Sequence, residues 1–325
     1  MRPGLRAIAD RNGGVFTRKD AVASGYTERE LKTLTGHRGA WVVLRRGAYA
    51  EREVYDACAE DGRYLLRVRA AAVTMRRDAV MTHSSAAATL GMPTRPRWHA
   101  LVHTTRPDVR GSRTENGVKH HLGSLDEGDL VLVAGLRVTG PARTGADVGR
   151  EFGFEDGVVG CDAALRLGAT RADLARVLDV MTHWPDVTNA RAAVRVADGG
   201  AETIGESLLR VMLLELDIGV PETQFVVSDG NRTTYVDLRV GPHLFEFDGR
   251  IKYVERERGG VADRPVNEIV WSEKKREDWV RRTSGDLGMS RVIWTEMFGA
   301  ERARTKRRLY AEFMESVRRH GGAAT

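Results

Sequence analysis

Within the first 51 residues the hydrophobic period of this chain switches once, from helical to alternating, and that switch narrows the folds open to it. Leu5, Ile8 and Ala9 recur at helical spacing until Asn12-Gly13-Gly14 stops them. Thr17 is placed to cap a second short helix that ends near Ala23, with Asp20 where an acid favours the helix N-terminus. Gly25 breaks that helix. Thr27-Glu28-Arg29-Glu30 then reads as a capping box opening a third helix that runs to about Thr35. The run WVVLRRGAYA follows, apolar but interrupted by Arg45-Arg46-Gly47, and reads as two short strands around a tight basic turn.

Three short helices followed by a basic hairpin describe a winged helix-turn-helix, whose third helix enters the major groove and whose wing touches phosphate or the minor groove. In that arrangement Arg29 and Lys32 face the groove, and Arg38, Arg45 and Arg46 neutralise backbone charge. The plainer alternative is a small helical domain with solvated arginines. Agreement between caps, helix lengths and hairpin favours DNA. Charge distribution points the same way. Residues 1–53 hold eleven basic and six acidic residues, and residues 264–320 fourteen and nine, within a chain of net charge +6. Both ends are thus basic and the middle mildly acidic, as two polyanion-facing modules would be.

The run GGVFTRKDAVASGYTERELKTLTGHRGAWVVLRRGAYA resembles the N-terminal winged helix of AbiEi-type antitoxins from type IV toxin–antitoxin systems. The likeness rests on a G-h-F-T-R-x-x-A-x-x-x-G segment (h, hydrophobic) and on Leu34 to Tyr49. It implies operator binding and autorepression, and it adds Arg18 of the FTR segment to the DNA-binding candidates.

Several other classes are excluded or disfavoured. No apolar run reaches the 18 or so residues of a membrane helix, and the start lacks the apolar stretch of a secretory signal, so a cytoplasmic protein is expected. Cys58 and Cys161 make neither a disulfide framework nor a Cys-rich zinc site. Walker A, HExxH, G-x-S-x-G and dinucleotide fingerprints are all missing.

Residues 56–200 read as a mixed α/β middle domain: a helix over Tyr64 to Met75, strands in WHALVHTT and GVKHHLGSL, and paired helices after LRVTG. Ser84 or Ser85 is expected to cap a helix, and Cys161 to be a buried apolar residue; His120-His121, a metal pair only if partners existed that the sequence does not reveal, is expected at a strand edge or on the surface. Thr82 to Gly91, His121 to Leu125, Thr139 to Asp147 and Asp162 to Arg166 again resemble AbiEi-like chains. A spacer, docking or dimerising role is the expectation.

The strongest chemical pattern begins at residue 201. A helix opened by Gly205-Glu206 carries an apolar stripe of Leu208, Met212 and Leu216, and Gly219 ends it. TQFVVSD and TTYVDLRV form a hairpin about Gly230-Asn231, and LFEFDG makes a third strand. Residues two apart on a strand share a face, so Glu246 and Asp248 point together while Phe245 and Phe247 face a core. Asp237 lies late in the preceding strand, and Glu206 comes from the helix end. Clustered acids of this kind repel one another unless a proton or hard cation intervenes. Asp237, Glu246 and Asp248 are therefore the candidate Mg²⁺ ligands, with Glu206 beside them and Lys252 to stabilise developing charge or help deprotonate a water.

The order helix-Glu, then D-x8-E-x-D-G-x-x-K, resembles the PD-(D/E)XK nuclease fold, nearest the Vsr-like DUF559 branch. The segment WSEKKREDWVRRTSGDLGMSRVIWTEMF resembles that branch's ending, and the likeness covers residues 201–298. The chain departs from the general motif at Asp248, where lysine is the rule; either Lys252 is the migrated lysine or activity is lost. Tyr253 stands where many members carry His. The segment 254–268 reads as a loop able to close over DNA, Glu273 to Asp278 as a mainly solvated helix from which Glu273 and Lys274 could reach the site, and the last basic helix either as a backbone contact or as a solvated cap.

These readings make an α+β multidomain chain: winged helix over 1–55, middle domain over 56–200 and PD-(D/E)XK-like domain over 201–320. The expected activity is Mg²⁺-dependent endonucleolytic cleavage of double-stranded DNA, in defence or mobile-element control. The alternative is a non-catalytic AbiEi-like antitoxin and autorepressor whose nuclease-like domain binds DNA, a second copy of the chain or a cognate toxin.

Overall fold

The computed structural model describes residues 1–75, 79–249, 266–285 and 287–320, the stretch 266–274 by its backbone only. The fold is mixed α/β with several sheets, divided into two compact units, Met1–Ala197 and Asp198–Thr325. Among the described residues no helix is long and apolar enough to cross a membrane.

The first unit opens with α1 (Pro3–Arg11), β1 (Val15–Thr17), α2 (Arg18–Ala23), α3 (Glu28–Leu34), β2 (Trp41–Arg45) and β3 (Ala48–Glu51). The expected capping box is present at the start of α3, where Thr27 and Glu30 bond reciprocally, and the expected Thr17 cap of α2 is also a box, completed by the Asp20 side chain. The three strands form an antiparallel sheet in the order β1-β3-β2. Leu5, Ala9, Phe16, Ala21, Leu31, Trp41 and Tyr49 fill the space between helices and sheet. Phe16 meets Trp41 edge-on at 4.7 Å between ring centroids.

After α4 (Arg52–Ala57), the helix α5 (Glu60–Thr74) serves two cores. Its Leu66 and Ala70 pack with Val15, Ala48 and Ala50 of the small sheet. Its Tyr64, Val68 and Ala71 pack with Met81, Val102, Val118 and Val138 of a second, six-stranded sheet. Residues 64, 68 and 71 occupy one helical stripe and residues 66 and 70 another, so one helix satisfies both partners.

That second sheet comprises β4 (Val80–Met81), β5 (Val102–Arg106), β6 (Arg113–Glu115), β7 (Val118–Leu122), β8 (Leu130–Val133) and β9 (Leu136–Thr139), ordered β6-β7-β5-β4-β9-β8. β5 runs parallel to β7, placing His103 beside Lys119 and Thr105 beside His121. α6 (His83–Leu90), α7 (Pro141–Phe152), α8 (Phe154–Arg166), α9 (Arg171–Val180) and α10 (Val187–Val196) complete the unit. α7 and α8 approach at backbone distance: a Cβ on Gly157 would meet Gly149 Cα at 2.7 Å and Ala193 Cβ at 2.9 Å.

Two expectations for the middle are corrected. Ser84 and Ser85 do not cap α6, whose N-cap residue is Thr82. Instead both hydroxyls are buried against the Tyr64 hydroxyl, at 2.8 and 2.9 Å. His120 and His121 are not a surface pair, because both are buried and His121 lies against His83 and His103. Cys161 is fully buried, and burial pushes its thiol up, away from the reactive thiolate.

The second unit contains α11 (Ile204–Leu214), β10 (Glu222–Ser228), β11 (Thr233–Val240), β12 (His243–Asp248), α12 (Val266–Thr283), β13 (Gly288–Ile293) and α13 (Gly299–His320). The sheet order is β10-β11-β12-β13, antiparallel except for the parallel pair β12-β13. The hairpin and third strand fall where the alternation placed them. Val227, Val236, Leu244 and Val280 make one core cluster, which seats α12 against the sheet.

Candidate functional site

The acids of the second unit gather across its sheet. The β11-β12 ladder ends at the pair Leu238–Phe245, and the next residues along, Asp237 and Glu246, lie close enough for the Glu246 charge to act on Asp237. There the ladder gives way to a side chain: Asp237 Oδ2 accepts from the Phe247 backbone N–H at 2.7 Å. On the other side, the β10-β11 register puts Gln224 opposite Asp237, and Gln224 adopts a left-handed φ of 51°. A non-glycine residue in that region costs roughly 1–3 kcal/mol, so its placement marks a constrained point. In the parallel pair Glu246 faces Arg291. Gln224, Asp237, Glu246 and Arg291 thus form one polar row across the four strands.

Glu206 reaches this row from the first turn of α11. Thr203 caps the helix and donates its hydroxyl to Glu206 Oε1 at 2.9 Å, while the Glu202 N–H and the Gln224 amide donate to Oε2 at 2.8 and 3.3 Å. Gly205 permits the approach, since a Cβ there would stand 2.1 Å from the Phe247 ring. The electrostatic result falls on Asp237. Burial, then the neighbouring Glu206 and Glu246 charges, push its carboxyl up to about 7 against the opposing hydrogen bond from Phe247.

Glu246 is held differently. Arg276 of α12 donates to its Oε1 at 2.7 Å and Arg291 of β13 to its Oε2 at 3.2 Å. Arg276 also bonds Thr234 Oγ1 and the Tyr235 carbonyl, which fixes the guanidinium over β11. Burial opposes the Arg291 charge, but Glu246, Glu277 and Asp248 outweigh it and hold its pKa raised. Asp248 is buried at the end of β12. The five catalytic candidates therefore divide: Glu206, Asp237, Glu246 and Asp248 are described and buried or nearly so, whereas Lys252 lies outside the described residues, as do Tyr253 and the segment 254–265. Sequence reasoning missed Gln224, Arg276 and Arg291. Arg276 belongs to the charged run expected to be mainly solvated, and only the packing of α12 turns it inward.

In the first unit, Arg29 and Lys32 project from α3 and are exposed, as are Arg38 and Arg46. Among the described residues none of these four takes part in an ion pair. Arg18 is exposed but bonded to Glu28 at the head of α3. Arg45 is half-buried; its Nη1 is enclosed without a hydrogen-bond partner among the described residues, and burial lowers its pKa. In α13 several basic residues are matched by acids: Arg302 and Lys306 bond Glu215, and Arg308 bonds Glu296.

No protein-family model matches the chain. Two proteins described as uncharacterized, from two strains of Mycobacterium tuberculosis, are each 28% identical to it over 191 residues. The match covers 58% of this chain and 65% of each relative, so the chain spans less than two thirds of either.

Proposed function

We propose that this chain is a DNA-binding protein whose second unit is a PD-(D/E)XK-type, Mg²⁺-dependent endonuclease. One observation carries the reading: Asp237 stands between Glu206 and Glu246, and its carboxyl is lifted to about 7 by burial and by their charges. Carboxylates gathered from a helix end and adjacent strands are a donor set that fits a hard divalent ion. A Mg²⁺ held by Asp237, Glu246 and Asp248, with Glu206 beside it, supplies polarisation of a phosphoryl oxygen and acidification of a water. The chain's own groups do the rest. Arg276 and Arg291 stand beside the acids as phosphate-binding cations, and Gln224 fixes the Glu206 carboxylate. The order α11, hairpin, β12, α12, parallel β13 supports the nuclease-like assignment. The three helices and basic hairpin of residues 1–51, with Arg29, Lys32, Arg38 and Arg46 exposed, support a winged helix-turn-helix that reads duplex DNA, Arg18 and Arg45 flanking it. Defence or mobile-element control suits such a pairing.

A second reading is favoured by the double arginine clamp on Glu246, which satisfies that carboxylate within the protein. In it the second unit is a non-catalytic nuclease relic in an AbiEi-like autorepressor, serving DNA binding, self-association or a cognate toxin. Supercoiled plasmid incubated with the protein and either Mg²⁺ or EDTA separates the two. Metal-dependent nicking abolished by Asp237→Asn is the outcome of the first reading; DNA binding without cleavage in either condition is that of the second.

A further inference from the structure

Three buried histidines from distant parts of the first unit meet at one point. His83 is the first residue of α6, His103 lies in β5 and His121 in β7. One ring nitrogen from each falls within 4.8 Å of the others, and all three side chains are buried. The His103 Nδ1 to His121 Nε2 separation is 2.9 Å. His83 directs Nδ1 to Thr82 Oγ1 at 2.9 Å, and its Nε2 stands 4.0 Å from Asp147 Oδ1 on α7. That last gap is too long for a hydrogen bond, and closing it to the ~3.4 Å between two ligand atoms of a tetrahedral ion takes a small side-chain shift.

Backbone strain is spent on this arrangement. His83 has a φ of 53° at a buried helix start, a region that a non-glycine residue seldom occupies without a reason. An apolar core would be cheaper than three imidazoles, because each buried polar ring needs partners. Nearby, Lys119 is paired with Glu151, while Asp129 and Asp147 are shared among Arg143, Arg150 and Arg176.

We propose that His83, His103 and His121, closed by Asp147, bind one Zn²⁺ ion in a structural site that pins α6, β5, β7 and α7 together. Imidazole nitrogen selects Zn²⁺ over Mg²⁺ or Ca²⁺, and three nitrogens with one carboxylate oxygen make a tetrahedral set. Tetrahedral Zn–N bonds place ligand nitrogens about 3.4 Å apart. The His83 and His121 rings, stacked at 3.8 Å between centroids, reach this by turning about χ2, a soft torsion for imidazole. This site lies in the first unit and does not rest on the nuclease reading.

The test uses the full chain stripped with chelator and titrated with Zn²⁺ alone, then with Co²⁺ as a spectroscopic probe. The site requires one tightly held Zn²⁺ per chain, a higher melting midpoint with Zn²⁺ and the intense visible bands of tetrahedral Co²⁺. His103→Gln and His121→Gln should each weaken Zn²⁺ binding by ~100-fold or more, whereas Glu206→Gln and Asp237→Asn should leave it unchanged. Folded wild-type protein that takes up no Zn²⁺, or glutamine variants that bind like wild type, would overturn the proposal. Should those variants fail to fold, the wild-type Co²⁺ spectrum decides: weak octahedral bands, or none, reject the site.

Discussion

Asp237 Oδ2 accepts a hydrogen bond from the backbone N–H of Phe247 at 2.7 Å, so a carboxylate takes the place of a carbonyl where β11 and β12 part. The same carboxyl is pushed up to about 7, first by burial and then by Glu206 and Glu246.

The folded chain therefore holds this proton more tightly than the unfolded chain, whose aspartates titrate near 3.9. Its stabilising contribution is full below that range and is lost as pH climbs through about 7. Urea midpoints measured from pH 5 to pH 8 should fall on this account, and Asp237→Asn should flatten the dependence. Mg²⁺ added at pH 8 should raise the wild-type midpoint more than that of the variant. A pH slope identical in the two proteins would remove Asp237 as its source.

Glu246 is buried with a guanidinium on each oxygen. Removing both partners in Arg276→Ala/Arg291→Ala strands a buried charge and should cost about 3–5 kcal/mol, by analogy with broken buried pairs. Adding Glu246→Gln to that double variant should recover part of the loss. Chemical denaturation reads both, and a double variant as stable as wild type would show that the carboxylate is solvated.

For the first unit, Arg29→Ala/Lys32→Ala should weaken DNA binding and lower the salt slope by roughly 0.9 for each phosphate contact removed. Arg46→Ala should cost more affinity than Arg45→Ala, because Arg46 is exposed whereas Arg45 is half-buried with an enclosed Nη1. Equal affinity and equal slope across wild type and all three variants, measured by fluorescence anisotropy at several salt concentrations, would take α3 and the hairpin out of the interface.

Gly157→Ala should destabilise the protein by about 1–3 kcal/mol, since the new methyl would press on Gly149 and Ala193. Gly111→Ala is the matched control: nothing stands within 4 Å of its Cβ position, and a change within about 0.5 kcal/mol is expected. Thermal melts of the pair suffice, and an unaffected Gly157 variant would mean that α7 and α8 separate easily.

The parts legible in the sequence were those whose cause is local. Thr17 with Asp20, and Thr27 with Glu30, announce their helices because each cap is completed within four residues. Phe245 and Glu246 could be assigned to opposite sides of a strand because alternation needs no partner. Other features depend on distant chain. Arg276 and Arg291 meet on Glu246 only after α12 and β13 have docked, and Gln224 joins them only through a register and a left-handed turn of the backbone. His121 was expected outside, yet the parallel pairing of β5 with β7 buries it beside residues 18 and 38 positions away, at His103 and His83. Ser84 and Ser85 look like caps in any helical window; it takes Tyr64, one helix earlier, to draw both inward.

The two-sided helix α5 has a consequence for how the molecule comes apart. Leu66 and Ala70 grip the small sheet while Tyr64, Val68 and Ala71 grip the large one. Peeling the small sheet away uncovers a stripe on a helix still clamped to its other partner, and unseating the helix opens both cores together. Residues 1–51 and the six-stranded sheet should accordingly melt in a single step, and exchange their slowest amide hydrogens at a common rate, as one cooperative block.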